Sequence, residues 1–338
     1  MNPKVSILVP VYNTAPFIEK CARSLFEQTF EPIEYLFLDD CSPDNAIEML
    51  QIIIDQYPER AHQTTIIRND RNRGLAAARN TLIDHATGKY VLHVDSDDYI
   101  EQDCVETLLK KAEEENADIV VSDIFREKKH ATTIQKIRFS PDKTEYINLV
   151  LSSLSPSYNC GKLIKTHLYH EYHIRWEEGL NVLEDYHTLP RLAYFANKIV
   201  KVEKPLYHYI QYNENAYTKH CNEQFLTNVF AAIKIVESFF LSQEDAIRYE
   251  KAISAFKLMT KINNLKNADR KLQQKILNLY PEIQLNGIQD MVKFSFIDKL
   301  LYQLMQKKRL TLIFIITFGL NSAKKIKSTT YQLLKRNA

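Results

Sequence analysis

The sequence predicts an α/β protein with a mostly parallel sheet covered by helices on both faces, followed by a smaller helical module. Over the first hundred residues, short apolar runs rich in β-branched residues alternate with segments of helical periodicity. After residue 216 the pattern becomes almost continuous helix. We therefore expect two domains, 1–215 and 216–338.

The predicted elements of the first domain follow one another in βαβ order. Strands are expected at 4–12, 33–40, 64–69 and 89–95, and helices at 15–30, 45–59 and 74–87. The first strand, "KVSILVPVY", is a continuous apolar run, as is typical of a strand that is buried on both faces. A helix at 103–115, a strand at 117–125 and a charged, hairpin-like stretch come next, and from about 101 to 215 the pattern is mixed.

Polar residues follow the end of each of four predicted strands. They are Tyr12-Asn13, Asp39-Asp40, Asn69 to Gly74, and Asp95 to Asp98. In open α/β sheets, ligands bind beyond the carboxyl ends of the strands. We therefore expect a binding site at this edge of the sheet.

Composition and charge exclude several classes of protein. The net charge of +2 provides no global field for nucleic acid. The five cysteines are widely spaced and form no CxxC pair, which favours neither a disulfide framework nor a zinc site and suggests the reducing cytosol. The N-terminus has no signal-peptide pattern, and no apolar run of 18 residues predicts a transmembrane helix.

The fourth strand ends in "YVLHVDSDDYI" (90–100), where three carboxylates crowd together at Asp95, Asp97 and Asp98. Such groups repel one another unless a proton, an arginine or a cation lies between them. A shared proton is disfavoured if the strand end is exposed, whereas Arg73 or Arg79 could serve as the arginine. Mg²⁺ or Mn²⁺ shared with a diphosphate suits the hard oxygen ligands best. The alternative is a solvated acidic turn.

Seven blocks of the sequence, in order, carry a family resemblance. They are "VSILVPVYN", "LFEQTFEPIEYLFLDDCSPDNA", "NRGLAAARN", "GKYVLHVDSDDYI", "GKLIKTHLY", "EGLNVLEDYHTLPRL" and "KPLYHYIQYNENAYT". Over roughly residues 3–215 the chain resembles the family 2 inverting glycosyltransferases, which have the nucleotide-diphospho-sugar-binding GT-A fold. The resemblance implies transfer of a sugar from a nucleotide-sugar to a glycan or lipid-linked acceptor in surface polysaccharide biosynthesis, with a divalent cation as cofactor.

The resemblance assigns part of the donor site to the first two strands. Pro10, Val11 and Tyr12 would line the nucleotide pocket, although Val11 could equally be a core residue. Asp40 would accept hydrogen bonds from the base, which favours uridine because uracil N3–H is a donor. Asp39 is expected to be a structural turn residue.

Residues that follow the third and fourth strands would complete the donor site. Asn72 and Gly74 would approach the nucleotide closely, and Arg79 either faces the carboxylates or is solvated. In the D-x-D motif, Asp97 would be the direct metal ligand, and Asp95 would contact the sugar or ribose and take part in the metal site. Asp98 is expected to cap the following turn.

On the acceptor side, "VLEDYH" (182–187) matches the acidic pair of the family. The resemblance implies that Asp185 is the general base and that Glu184 orients or contacts the acceptor. The alternative is a pair of acids that favours the dipole of a helix N-terminus. Among the histidines, His93, His187 and His220 are expected to be structural, and His208 is expected to approach the diphosphate.

The tail from Lys299 to Ala338 has nine basic residues and no acid, with "LTLIFIITFGL" (310–320) in its middle. This pattern suits contact with an anionic membrane surface, and equally a packed helix with solvated flanks. A nucleotidyltransferase is disfavoured because "PVYNTAPF" has no Gly and no basic residue to hold a triphosphate. A non-catalytic scaffold is disfavoured because Asp97 and Asp185 are present.

Overall fold

The computed structural model describes residues 3–180, 182–213, 223–292, 294–320 and 322. It divides into two compact units. The first comprises Met1–Val150 and Ser155–Thr218, and the second comprises Leu151–Leu154 and Lys219–Ala338. The sequence did not predict that the short segment Leu151–Leu154 would belong to the second unit.

The first unit is built on a mixed sheet. Its strands are β1 (Val5–Val11), β2 (Ile33–Asp39), β3 (Thr64–Arg68), β4 (Tyr90–His93), β5 (Tyr99–Ile100), β6 (Ile119–Lys128), β7 (Ala131–Gln135), β8 (Lys162–Lys165) and β9 (Ile199–Ile210). They lie in the order β3-β2-β1-β4-β8-β6-β9-β5, with β7 paired to β6. Strands β3, β2, β1 and β4 run parallel, as predicted, whereas β8 is antiparallel to both of its neighbours.

Helices connect these strands. They are α1 (Ala15–Phe26), α2 (Ala46–Ile54), α3 (Pro58–Ala61), α4 (Leu75–His85), α5 (Cys104–Glu114), α6 (Lys143–Leu151), α7 (His167–Glu171) and α8 (Glu184–Phe195). The single helix predicted at 45–59 is divided into α2 and α3 because Pro58 cannot continue a helix and instead starts the next one. β1 is buried along its whole length, as its apolar run predicts.

The second unit consists of helices around its own apolar core. They are α9 (Glu223–Leu241), α10 (Glu250–Asn267), α11 (Arg270–Leu277), α12 (Phe296–Gln306) and α13 (Leu310–Leu320). Leu258, Ile262, Leu301 and Ile313 are among the buried side chains that form this core. α12 begins with a capping box, in which Ser295 and Asp298 bond to each other's backbone amides.

By length and composition, α9 could cross a membrane, although the sequence predicted no such helix. The prediction relied on an uninterrupted apolar run, whereas α9 carries charged residues such as Lys234 and Glu237 among its apolar ones. Leu226, Val229, Ile233 and Val236 of this helix are buried. Length and composition alone do not distinguish a membrane span from the core helix of a soluble protein.

Candidate active site

The predicted polar residues meet at the carboxyl edge of the four parallel strands. Val11 is paired with Asp39, and Asp39 is paired with Arg68, so the loops after β1, β2 and β3 leave the sheet at the same level. β4 lies on the other side of β1, with Leu8 opposite His93. The sheet thus brings together the loops that the sequence predicted to form one site.

The loop after β1 divides the three predicted pocket residues. Pro10 and Val11 are buried in the strand, whereas the Tyr12 side chain is 46% exposed at its end. Val11 is fully buried, as a core residue would be, and its contact with a nucleotide stays a prediction. Tyr12 is the member of the three whose ring is accessible to a ligand.

Asp40 holds the loop that follows β3. Its Oδ1 accepts hydrogen bonds from the Asn69 side chain at 2.7 Å and from the Arg73 amide at 2.9 Å, and its Oδ2 accepts one from the Gly74 amide at 2.8 Å. The carboxylate is buried. These bonds give Asp40 a structural task that the sequence did not predict, and its contact with a nucleotide base stays a prediction.

Gly74 ends this loop and precedes the first residue of α4. Its φ of 86° and ψ of 163° lie in a region that essentially only glycine adopts. The sequence suggested close approach to a ligand as the reason for the glycine, but the backbone conformation alone requires it. Asn72 is exposed on the same loop.

Arg79 of α4 lies at the centre of an acidic network. Nη1 donates to Glu184 Oε1 at 3.0 Å and to Asp185 Oδ1 at 2.8 Å, and Nη2 donates to Asp95 Oδ1 at 3.0 Å. The side chain is only 2% exposed, so it faces the carboxylates and is not solvated. Burial opposes its charge, yet the three carboxylates hold the pKa of Arg79 well above its ordinary value. One guanidinium thus joins the D-x-D motif to the predicted general base.

Asp185 also accepts hydrogen bonds from two residues outside α4, Asn159 and Trp176. Its Oδ1 accepts bonds from the Asn159 side chain at 2.8 Å and from Trp176 Nε1 at 3.3 Å, and its Oδ2 accepts one from the Asn159 amide at 3.2 Å. Burial acts to raise the pKa of Asp185, but Arg79 and these donors lower it below its ordinary value. Asp185 is therefore an oriented, ionised carboxylate.

Glu184 differs from its neighbour because fewer donors reach it. Burial and the charge of Asp185 raise the pKa of Glu184 to about 7, although Arg79 acts in the opposite direction. Both acids occupy the first turn of α8, where the helix dipole favours negative charge. A chemical difference between the two acids follows: near neutral pH, Asp185 is charged and Glu184 carries a proton part of the time.

The D-x-D turn is fastened to β9. Tyr207 Oη accepts a hydrogen bond from the Asp95 amide at 3.1 Å and donates one to Asp98 Oδ2 at 2.6 Å. Asp98 Oδ1 accepts a hydrogen bond from the Ile210 amide at 2.7 Å. The prediction that Asp98 caps the following turn is therefore wrong. Asp98 is buried and ties the turn to a strand more than a hundred residues away.

The turn is also less exposed than the sequence suggested. Asp97 is half-buried, and its Oδ2 accepts a hydrogen bond from the Asn213 side chain at 2.7 Å. Burial and the charge of Asp95 raise the pKa of Asp97 above its ordinary value. Exposure of the strand end therefore does not count against a proton shared between carboxylates at this turn.

The carboxylate oxygens of the turn are suitable ligands for a divalent cation. Asp95 Oδ1 accepts a hydrogen bond from Arg79 and Asp97 Oδ2 accepts one from Asn213, and a cation bound by the two carboxylates would offset the repulsion between them. The described residues contain no group of three or more His, Cys, Asp or Glu side chains that could hold a metal. Two carboxylates match a site that a substrate's phosphates would complete.

His208 does not reach the site, and the prediction that it approaches the diphosphate is wrong. Its ring is stacked between Tyr99 and Phe125, with centroid distances of 4.0 and 4.3 Å. Its nitrogens lie 2.8 Å from a Glu127 oxygen and 2.6 Å from a Glu101 oxygen. His93 and His187 are buried, as a structural role requires, and His220 is outside the described residues.

Sequence reasoning missed four residues that hold the acids in place. They are Asn159, Trp176, Tyr207 and Asn213. Their contacts cross long distances in the chain, which local periodicity does not reveal. One signal was available, because Trp176 is the only tryptophan in the sequence and precedes the acidic block.

Comparison with a model of the family described as "Glycosyl transferase family 2" gives a match over residues 6–172. This range contains the four neighbouring parallel strands β1 to β4 except for Val5, together with the Asp40 loop, Arg79 and the D-x-D turn. Residues 6–172 form a glycosyltransferase family 2 domain. The acids of α8 and the strand β9 follow the matched range.

Curated proteins similar to the family 2 domain come from several bacteria. Glycosyltransferase GlyA of Streptococcus pneumoniae serotype 4 is 33% identical over 62% of this chain and 31% of its own length. The uncharacterized glycosyltransferase EpsJ of Bacillus subtilis is 30% identical over 65% of this chain and 64% of its own length. The match thus spans less than two thirds of either relative.

Solved structures with low sequence identity have the same fold. Residues 1–349 of S. aureus TarS, in complex with UDP-GlcNAc, give a TM-score of 0.74 at 17% identity, over 95% of this chain and 92% of that one. The mannosyltransferase PcManGT from Pyrobaculum calidifontis, in complex with GDP-Man and Mn²⁺, gives a TM-score of 0.53 at 16% identity, over 96% and 86%. The architecture is therefore GT-A.

Proposed function

We propose that this protein is an inverting glycosyltransferase of surface polysaccharide biosynthesis. It would transfer a sugar from a nucleotide-diphospho-sugar, with UDP as the favoured nucleotide, to a glycan or lipid-linked acceptor. The observation that carries the proposal is the contact of Arg79 with Asp95 on one side and with Asp185 and Glu184 on the other. A transferase must hold its sugar donor and its acceptor next to each other. This contact joins Asp95, which is predicted for the donor side, to the two acids that are predicted for the acceptor side.

Asp185 is the proposed general base. Inversion requires a single displacement, in which a carboxylate accepts the proton of the acceptor hydroxyl on the side opposite the leaving diphosphate. Asp185 Oδ1 already accepts three side-chain donors, whereas Oδ2 accepts the Asn159 amide. Oδ2 is therefore the atom proposed to accept the proton. Glu184, with a pKa of about 7, can donate a hydrogen bond to the acceptor while protonated.

Asp95 and Asp97 would hold the divalent cation, Mn²⁺ or Mg²⁺. When bound, the cation supplies neutralisation of the charge that develops on the leaving diphosphate. The likeness to a fold neighbour that holds GDP-Man and Mn²⁺ supports this choice, and the neighbour that holds UDP-GlcNAc supports a uridine nucleotide. Tyr12, Asp40, Asn72 and Gly74 would contact the nucleotide, together with Pro10 and Val11 beneath them.

A cytoplasmic location is part of the same proposal, because nucleotide-sugars would have to reach the donor site. Contact of residues 299–338 with the inner face of the membrane also remains a proposal, and residues 321 and 323–338 of this tail lie outside the described residues. Such a contact would bring the enzyme to a lipid-linked acceptor.

A donor screen with an Asp185 variant tests the proposal. Purified protein is mixed with UDP-, GDP- and dTDP-sugars in the presence of Mn²⁺, and donor hydrolysis and thermal shift are measured. Asp185→Asn should abolish turnover and keep nucleotide binding, because the base acts in the transition state. Asp84→Asn removes the same charge from an exposed site and serves as the control. Turnover that survives in Asp185→Asn, or loss of nucleotide binding there, would contradict the assignment.

A further inference from the structure

The helix α13 has one exposed apolar side. Leu312, Ile315 and Phe318 are 48%, 58% and 63% exposed. They are spaced three residues apart, so they lie on the same side of the helix. Ile313 and Thr317 on the other side are buried. The core of the second unit therefore uses one side of α13 and leaves three large apolar side chains to solvent.

The surroundings of this exposed side are positively charged. Lys307, Lys308 and Arg309 are exposed immediately before α13. The sequence from Lys299 to Ala338 has nine basic residues and no acid. An apolar surface with basic residues at its border is complementary to an anionic lipid interface.

We propose that the exposed side of α13 (Leu312, Ile315 and Phe318), together with Lys307–Arg309, docks onto an anionic membrane surface. The apolar side chains enter the boundary between headgroups and acyl chains, and the bases contact the headgroups. At about 1.5 Å per residue, Leu310–Leu320 is about 16 Å long, shorter than the roughly 30 Å hydrocarbon core. The helix therefore lies in the interface and does not span the bilayer.

Charge also favours a lipid surface over a second copy of the chain. Two α13 helices that packed through these apolar sides would bring two Lys307–Arg309 clusters close together, with no acid in either tail to offset them. Anionic headgroups remove that repulsion. The inference rests on the proposed membrane contact of the tail, and it is independent of the transfer reaction.

Co-sedimentation of the full chain with vesicles tests the docking surface. Vesicles of phosphatidylcholine alone are compared with vesicles that also contain phosphatidylglycerol. Two triple variants are matched with two controls of equal chemistry at exposed sites elsewhere. The tested sets are Leu312→Ser/Ile315→Ser/Phe318→Ser and Lys307→Gln/Lys308→Gln/Arg309→Gln, and the controls are Ile52→Ser/Ile134→Ser/Ile247→Ser and Lys110→Gln/Lys251→Gln/Lys271→Gln.

We expect the unchanged chain and both controls to bind the anionic vesicles and to be released by 1 M salt, where the screening length is about 3 Å. Removal of the three bases should weaken binding about 100-fold, which corresponds to about 3 kcal/mol. The serine set should weaken it at least as much, without a change in donor hydrolysis in vesicle-free solution. That assay separates a failure of docking from a failure of the proposed reaction.

Four results would overturn the inference. The first is an absence of binding by the unchanged chain at low salt. The second is equal loss in the tested sets and their controls, and the third is equal binding to neutral vesicles. The fourth is dissociation of an oligomer by the serine set in analytical ultracentrifugation, since α13 would then contact a second copy. If the serine set fails to fold by circular dichroism, the glutamine set and the salt dependence decide.

Discussion

The substitution Arg79→Met tests whether one buried guanidinium organises the acidic network. Methionine keeps much of the apolar volume and removes the three charge-assisted bonds, at 2.8, 3.0 and 3.0 Å, to Asp185, Glu184 and Asp95. Removal of one partner from a buried ion pair typically costs about 3–5 kcal/mol, because the remaining charge stays buried and unpaired. For a unit of this size the corresponding fall in melting temperature is roughly 10 °C.

The expected loss of stability in Arg79→Met depends on pH, and the pKa values of the acidic network determine the direction of this dependence. Arg79 lowers the pKa of Asp185 and opposes the rise in the pKa of Glu184. Without it, both folded-state pKa values rise, and the folded variant binds protons that the unfolded chain does not. Protonation then relieves the buried charge at low pH, so the destabilisation should be larger at pH 8 than at pH 5.

Chemical denaturation of the variant and of a matched control at the two pH values measures the effect. The control, Arg73→Met, breaks an exposed pair with Glu178, at 3.1 Å, and should cost 0 to about 1 kcal/mol. A loss for Arg79→Met that is no larger than the control's, or that does not change with pH, would refute the reasoning. Arg79→Lys should be only partly tolerated, because an ammonium lacks the planar fork that reaches three carboxylates.

Three further predictions concern the D-x-D turn, a closely packed glycine and a buried histidine. Asp97→Asn and added EDTA should each abolish transfer and metal-dependent UDP binding, measured by calorimetry, whereas Asp55→Asn, at an exposed site, should change neither. Gly88→Ala should lower the free energy of unfolding by about 1–3 kcal/mol, because the new Cβ would lie 2.7 Å from the Ser6 backbone nitrogen. In the control Gly319→Ala, the new Cβ meets nothing within 4 Å, so no loss of stability is expected. Equal melting temperatures of the two variants would contradict this prediction. Burial and nearby Arg191 lower the pKa of His187 from 6.5 to about 4, although Asp185 acts in the opposite direction. Between these two pH values the His187 ring is protonated in the unfolded chain but not in the folded one. The free energy of unfolding therefore decreases as the pH falls from 6.5 to about 4. In urea titrations, His187→Leu should reduce the dependence of the free energy of unfolding on pH between 6.5 and about 4. An unchanged dependence would show that His187 is not its cause.

The architecture of the first unit was largely readable from the sequence. Apolar runs such as β1, with polar residues directly after them, predict parallel strands and a site at their carboxyl edge. Hydrophobic periodicity is a local property, so it can be recognised in the sequence without knowledge of the fold. Element ends were less predictable, as the division of the helix at 45–59 by Pro58 illustrates.

What the sequence could not determine was which side chains hold one another. Arg79 and Asp185 are 106 positions apart, and nothing local distinguishes a solvated helix arginine from one that bridges three carboxylates. For the same reason the sequence assigned His208 to the diphosphate, whereas the packing of β9 stacks it between Tyr99 and Phe125. The residue types at the site were thus set by the sequence alone. Their pairing, burial and protonation were decided only by the tertiary structure, because those depend on distances between groups that the chain brings together from separate strands and helices.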